Sequence, residues 1–255
     1  MRICRFSKGD ATVTGRVEGN KIHVCGGSPL SPGDPSGEVV PLADVRLLAP
    51  LVPGKIIGIG RNYADHAREF GNVAPTEEPM IFLKPPSSIL SPGQTILMPA
   101  VSQRVDHEAE LGVVIGRRAS RLPEDVDPLA YVLGYTCVND VTARDLQKKD
   151  VQFTRAKGFD TFCPMGPWIE TELDPDHSVV EARVNGQIRQ SASTANMIFP
   201  VAFLVRYLSH VMTLEPGDLI ASGTPAGVGP LAAGDLVEVE VSGVGTLSNP
   251  VAARS

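Results

Sequence analysis

Glu108 and Glu110 stand two residues apart in the run Val105-Asp-His-Glu-Ala-Glu-Leu-Gly-Val-Val-Ile115. The half of this run from 111 to 115 is apolar and β-branched around one Gly, which predicts a buried strand. Side chains two apart on a strand face the same way, so the two carboxylates project together. Held side by side, they repel unless they share a proton or a cation. An isolated Glu-x-Glu reads as well as two solvated carboxylates at a strand end. A second acidic segment, Cys137-Val-Asn-Asp-Val-Thr-Ala-Arg-Asp145, shifts that balance. There Asp140 follows the apolar run 131–138 and could add a third oxygen ligand. Three hard carboxylates without a Cys or His cluster favour Mg²⁺, Mn²⁺ or Ca²⁺ over zinc.

Other candidates lie apart from this pair. The run Arg61-Asn-Tyr-Ala-Asp-His-Ala-Arg-Glu-Phe-Gly71 follows a strand pattern at 55–60. Asn62 is placed to cap a short helix there and Gly71 to end it. On that helix His66 and Glu69 sit at i and i+3 and share a face, either as a surface pair or as an acid–base pair. Lys157 lies in a Gly- and Pro-rich passage and reads equally as a fixed cation or a plain loop lysine. Another strand pattern leads into Ser222-Gly-Thr-Pro-Ala-Gly-Val-Gly229. The N–H groups of that loop and the Thr224 hydroxyl could hold an anionic group, although a tight turn would look the same. Lys84 closes the strand 80–84, just before two prolines. The Gly58-x-Gly60 pair lacks the third Gly and the acidic strand end of a dinucleotide site, which excludes that reading.

The elements that must position these groups are mostly short strands. With 42% hydrophobic residues, 25 Gly and 22 Pro in 255 residues, the chain has a sizeable core and many turns, so the expected class is α+β and β-rich. Residues 1–52 read as a small N-terminal β extension and 53–255 as the main domain, joined near 50–53. Asn185-Gly186 predicts a type I′ hairpin. One longer helix is expected over 197–213, with Pro200 in its first turn and Phe203, Leu204, Tyr207, Leu208 and Val211 on its apolar face. That segment is broken by Pro200, Arg206 and His210, so it predicts no membrane span. The net charge of −6, with Lys and Arg scattered, argues against a nucleic-acid partner. Four isolated cysteines, and an N-terminus without the apolar core of a signal peptide, point to a reduced, cytoplasmic setting.

Taken in order, several motifs resemble the fumarylacetoacetate hydrolase superfamily. They are Gly60-Arg-Asn-Tyr-Ala-Asp-His-Ala-Arg-Glu69, Phe82-Leu-Lys-Pro85, His107-Glu-Ala-Glu-Leu-Gly112, Asn139-Asp-Val-Thr-Ala-Arg-Asp-Leu-Gln147, Arg155-Ala-Lys-Gly-Phe-Asp160 and the loop from Ser222. The match runs over about 53–251, and the first 50 residues resemble a short extension found in many bacterial members. The resemblance implies a mixed β-roll with few short helices, paired as a homodimer. It also implies Mg²⁺ or Mn²⁺ on Glu108, Glu110 and Asp140, with Arg144, Gln147, Lys157 and Thr224 around the oxyacid end of the substrate. His66 and Glu69 match a lid pair that activates water in acylpyruvate hydrolases.

These groups carry an expectation of reaction type. A 2,4-dioxo acid offers a carboxylate and a keto oxygen to a metal, which would stabilise the enolate released on C–C cleavage. Hydrolysis also needs a water, whose proton His66 could take while Glu69 orients the ring. Lys157 suits developing negative charge. Oxaloacetate decarboxylation or tautomerisation, and isomerisation of a hydroxymuconate-type diacid, use the same site without the activated water. A fold alone does not choose among them.

Overall fold

The strand Ala109–Ile115 is buried along its whole length, as an apolar run with sheet neighbours on both edges requires. In the computed structural model, which describes residues 1–253, those neighbours are Val132–Asn139 and Leu219–Ala221, both antiparallel. They form the middle of a twelve-stranded sheet. Beyond Val132–Asn139 come Cys163–Glu170, Arg2–Lys8, Ala11–Glu18, Lys21–Cys25 and Pro35–Pro41. Beyond Leu219–Ala221 come Ile56–Gly60, parallel to it, and then Met80–Lys84. The N-terminal strands therefore continue the large sheet, with Arg2 and Ile3 opposite Glu170 and Ile169. They also enclose a small core of their own from Cys4, Phe6, Val17, Ile22 and Val24.

A five-stranded sheet runs Gln187–Ser193, Val179–Val184, Leu236–Val241, Gly245–Ala253 and Ile96–Met98. Its inner face alternates as a half-buried strand should: Val237, Val239 and Val241 are buried between more exposed neighbours. The main core lies between the sheets. It joins Ile57, Leu111 and Val113 to Val180, Val239 and Leu247, each such side chain contributing about 1.5–3 kcal/mol on burial. A three-stranded sheet joins Thr142–Ala143, Val105–His107 and Gly229–Pro230. Among the described residues there are four short α-helices: α1 (Ala64–Glu69), α2 (Arg144–Lys149), α3 (Thr154–Lys157) and α4 (Val201–Val211). This is the β-rich α+β architecture expected. No helix among the described residues is long and apolar enough to cross a membrane.

Local expectations fared unevenly. Asn185 and Gly186 both take positive φ, 53° and 75°, and join the paired strands of the type I′ hairpin. Pro200 precedes α4 as its N-terminal cap residue. The apolar face of α4 is displaced from the expected one. Val201, Leu204, Val205 and Leu208 point inward, while Phe203 and Val211 are 39% and 53% exposed. Two apolar stripes overlap on this helix, and the core takes the aliphatic one; Phe203 stacks outside between Phe199 and Tyr207. Gly71 ends α1 in a left-handed turn, with Gly71 N–H donating to Arg68 O and Asn72 N–H to Ala67 O. Asn62 does not cap α1. Its amide instead bonds Phe199 O, Ser222 O and Phe199 N–H, because a buried amide just before the helix can tie three chain segments together.

Candidate active site

Glu108 sits between the strands Val105–His107 and Ala109–Ile115. Its N–H donates to Asn139 Oδ1 at 3.0 Å, and its carbonyl accepts from Asp140 N–H at 2.8 Å. These bonds stitch it to the end of the neighbouring strand and bring Asp140 beside both glutamates. One carboxylate oxygen from each of Glu108, Glu110 and Asp140 lies within 4.8 Å of the others, and all three side chains are buried.

The charges around them are unequally shared. Glu108 accepts from Arg144 at 2.5 Å and from Lys157 at 2.8 Å. Asp140 accepts from Lys84 at 2.6 Å and also from Lys157. The third Lys157 donor goes to Thr142 Oγ1 at 2.9 Å, so this ammonium is fully engaged. Glu110 has only the Gly223 N–H, at 2.9 Å, and no cation reaches it among the described residues. Burial, then the nearby Asp140 and Glu108, hold the Glu110 carboxyl well above its ordinary pKa. Burial acts the same way on Glu108, but Lys157 and Arg144 outweigh it and bring that carboxyl below its ordinary value. Burial alone would discharge Lys157, yet Asp140 and Glu108 keep it a firmer cation than usual. The site is thus short of positive charge at Glu110, and three carboxylate oxygens are the donor set of a divalent cation such as Mg²⁺ or Mn²⁺.

Two buried networks set this geometry. Asp106 accepts from Arg144 Nε at 2.9 Å and from Arg104 at 2.8 Å, while Arg144 also donates to Gln147 at 2.7 Å. Gln190 reaches over from the five-stranded sheet. Its Oε1 accepts from Ala109 N–H at 3.0 Å and faces His107 Nδ1 at 3.0 Å; its Nε2 donates to Thr224 Oγ1 and Pro225 O, both at 2.7 Å. Thr224 in turn donates to Ala109 O at 2.8 Å. Gly223 has φ +103°, and a Cβ there would lie 2.6 Å from Asn62 Cβ, so only glycine can present its N–H to Glu110 in this way.

The acidic groups open on a cavity of about 270 Å³ that also contacts His66, Arg144, Gln147, Lys157 and Thr224. His66 is buried on α1, with Nδ1 3.5 Å from Glu69 Oε2 and no other partner among the described residues. At that distance the two are in contact without a well-formed hydrogen bond. Burial lowers the His66 pKa, with Glu108 opposing, so the ring is neutral at pH 7. Glu69 is held from behind by Gly227 N–H at 3.2 Å. The imidazole meets Phe70 edge-on at 5.3 Å, and the Phe70 ring lies 4.8 Å from the Arg144 guanidinium. α1 thus lines one side of the cavity with a buried imidazole.

Residues 55–252 match the family model described as fumarylacetoacetate (FAA) hydrolase, C-terminal. The chain belongs to the fumarylacetoacetate hydrolase family. Residues 1–50 match a second model, Rv2993c-like, N-terminal. The chain is 45% identical to the 5-carboxymethyl-2-hydroxymuconate delta-isomerase of Mycobacterium smegmatis over the full length of both, with a TM-score of 0.92. It is 32% identical to the maleylpyruvate hydrolase of Sphingobium sp. SYK-6, solved with manganese(II) and pyruvate, again over both full chains and with a TM-score of 0.82. An oxaloacetate tautomerase of Bacillus subtilis is 45% identical over 82% of this chain and 74% of its own.

Among the residues singled out from the sequence of this family member, His66, Glu108, Glu110, Asp140, Arg144, Gln147, Lys157 and Thr224 meet in the cavity. Glu69 lies outside the lining, behind His66. Lys157 is no loop residue: it ends α3 and is almost fully buried. The loop N–H groups after Ser222 do hold anions, but these are the protein's own Glu110 and Glu69. Sequence reasoning leaves Lys84 without a role and passes over Asp106 and Gln190. Lys84 carries a signal, a lone lysine at the end of an apolar strand. Gln190 carries none, since its partners His107 and Ala109 are more than eighty residues away in different sheets.

Proposed function

We propose that this chain is a divalent-metal-dependent hydrolase that cleaves a C–C bond of acylpyruvate-like 2,4-dioxo acids. The observation that carries the reading is a buried His66 backed by Glu69, opening on the same cavity as the acidic triad. Mg²⁺ or Mn²⁺ on Glu108, Glu110 and Asp140 would supply a Lewis acid for the adjoining carboxylate and keto oxygens of a 2-oxo acid. The remaining work falls to the protein. Arg144 and Gln147 stand side by side on α2, where a guanidinium and an amide suit the substrate's carboxylate. His66 takes a proton from water as that water attacks the distal carbonyl, and Glu69 steadies the imidazolium that results. Lys157 acts as a fixed positive charge against the negative charge that develops nearby.

A second reading has its own support. The 45% identity to an oxaloacetate tautomerase favours keto–enol exchange of a 2-oxo diacid, in which His66 would shuttle a proton without any attacking water. Isomerisation of a hydroxymuconate-type diacid makes the same demand. Turnover of a panel of 2-oxo acids with added Mg²⁺ or Mn²⁺ decides between them. Pyruvate release from an acylpyruvate supports hydrolysis; enol–keto conversion of oxaloacetate without pyruvate release from any acylpyruvate would replace it.

A further inference from the structure

Ala109 stands between Glu108 and Glu110, so its backbone fixes where both carboxylate side chains begin. On one edge of its strand the ladder to Leu219–Ala221 covers Gly112–Val114 and closes with Ser222 N–H donating to Leu111 O. Ala109 is the next residue with backbone groups on that edge, and by then the partner strand has given way to the loop from Ser222. Two side chains take the missing strand's place. Ala109 N–H donates to Gln190 Oε1 at 3.0 Å, Gln190 Nε2 donates to Thr224 Oγ1 at 2.7 Å, and Thr224 Oγ1 donates to Ala109 O at 2.8 Å. The three bonds form a closed cycle around one residue.

The direction of the cycle has no alternative. Ala109 N–H can only donate, so the Gln190 atom facing it is oxygen; Pro225 O can only accept, so the atom 2.7 Å from it is nitrogen. The Thr224 hydroxyl must then accept from Gln190 and spend its hydrogen on Ala109 O. His107 Nδ1, 3.0 Å from the same Gln190 oxygen, completes the amide's four partners. Within the edge strand Gln187–Ser193, Gln190 alone is buried. A glutamine at such a position satisfies polar groups of another sheet, and bonds in a cycle of one direction strengthen each other.

We propose that Gln190 is a positioning residue for the acidic triad, acting through Ala109 and the Thr224 hydroxyl without touching a ligand itself. Its amide stands in for a peptide group of the departed strand and holds Glu108 and Glu110 at the spacing a divalent cation needs. This inference rests on the reading that the triad binds such a cation. Groups that orient metal ligands from behind contribute about ten- to a hundredfold to metal affinity.

Calorimetric titration of the full-length protein with Mn²⁺ reads the effect without turnover. Q190L is expected to weaken Mn²⁺ binding by about tenfold or more. T224V, which loses the hydroxyl at nearly constant shape, should do the same, while T224S keeps the hydroxyl and should stay within about threefold of wild type. The double variant Q190L/T224V should bind within about threefold of the weaker single one, because either change alone opens the cycle. T194V is the control for simple loss of stability. It removes a hydroxyl bonded to Ser178 just beyond the same strand, and should lower Tm with Mn²⁺ affinity unchanged. Wild-type affinity in Q190L or T224V, T224S as weak as T224V, additive losses in the double variant, or an equal loss in T194V would overturn the assignment. Should Q190L not fold, the contrast between T224V and T224S decides. Wild type that binds no Mn²⁺, or E110Q that binds it normally, would remove the metal reading and this inference together. Binding lost in E110Q but intact in Q190L would remove this inference alone.

Discussion

Replacing Glu110 by Gln should leave the metal-free protein as stable as wild type and abolish its response to divalent cations. The reasoning is electrostatic. With carboxylate oxygens within 4.8 Å of one another, each like-charge pair costs about 3.5 kcal/mol at an effective dielectric of about 20. An ionised Glu110 would face two such neighbours, at most about 7 kcal/mol before the nearby Lys157 charge offsets part of it. Its single N–H partner, Gly223, returns only about 1.5–3 kcal/mol. Without metal, Glu110 therefore holds a proton, which agrees with its raised pKa. Glutamine is close in shape to a protonated glutamate, so the metal-free variant should match wild type within about 1 kcal/mol. With cation at about a hundred times its Kd, wild type gains about 2.7 kcal/mol. For a chain of this size that is a rise in Tm of roughly 5–11 °C. Thermal unfolding with and without Mn²⁺ reads both effects. The sign with pH follows as well. A carboxyl with a raised pKa must lose its proton to bind metal, so affinity should increase with pH until that pKa is passed. A wild-type Tm rise in the variant would place the metal elsewhere. A metal-free variant several kcal/mol more stable than wild type would show that Glu110 is ionised without metal.

Four further outcomes are expected. His66→Ala should lower acylpyruvate hydrolysis about a hundredfold or more while leaving the Mn²⁺ titration unchanged, and any oxaloacetate decarboxylation should survive; equal loss of both reactions would refute water activation. Because burial lowers the His66 pKa, the imidazole is neutral at pH 7 and the acid limb of kcat/KM should fall below the ordinary 6.5; a limb above that value would exclude His66 as the base. Asp106→Ala strips a buried carboxylate from Arg144 and should destabilise by about 3 kcal/mol or more, read by denaturant unfolding, with a change below about 1 kcal/mol counting against the network. The family resemblance makes a homodimer our proposal, and light scattering at the mass of one 27.1 kDa chain would refute it.

Much of this protein is legible in short-range pattern. A period of two places Glu108 and Glu110 on one face, and the apolar run behind them buries that strand. Asn185-Gly186 selects its turn because few other pairs accept two positive φ angles. Which apolar stripe of α4 enters the core was beyond local pattern, because both stripes have helical period and only the facing sheets choose between them. So was the conversion of Asn62 from helix cap to a clamp on Phe199 and Ser222, residues more than a hundred positions away. The same holds at the site. Local sequence marks Lys84, Lys157, Arg144 and the acidic residues as chemistry-bearing, but not which cation meets which carboxylate. Those partners come from separate strands and helices, and the packing of two sheets decides the pairing. That packing leaves Glu110 without a contacting cation among the described residues, and no spacing along the chain encodes that imbalance.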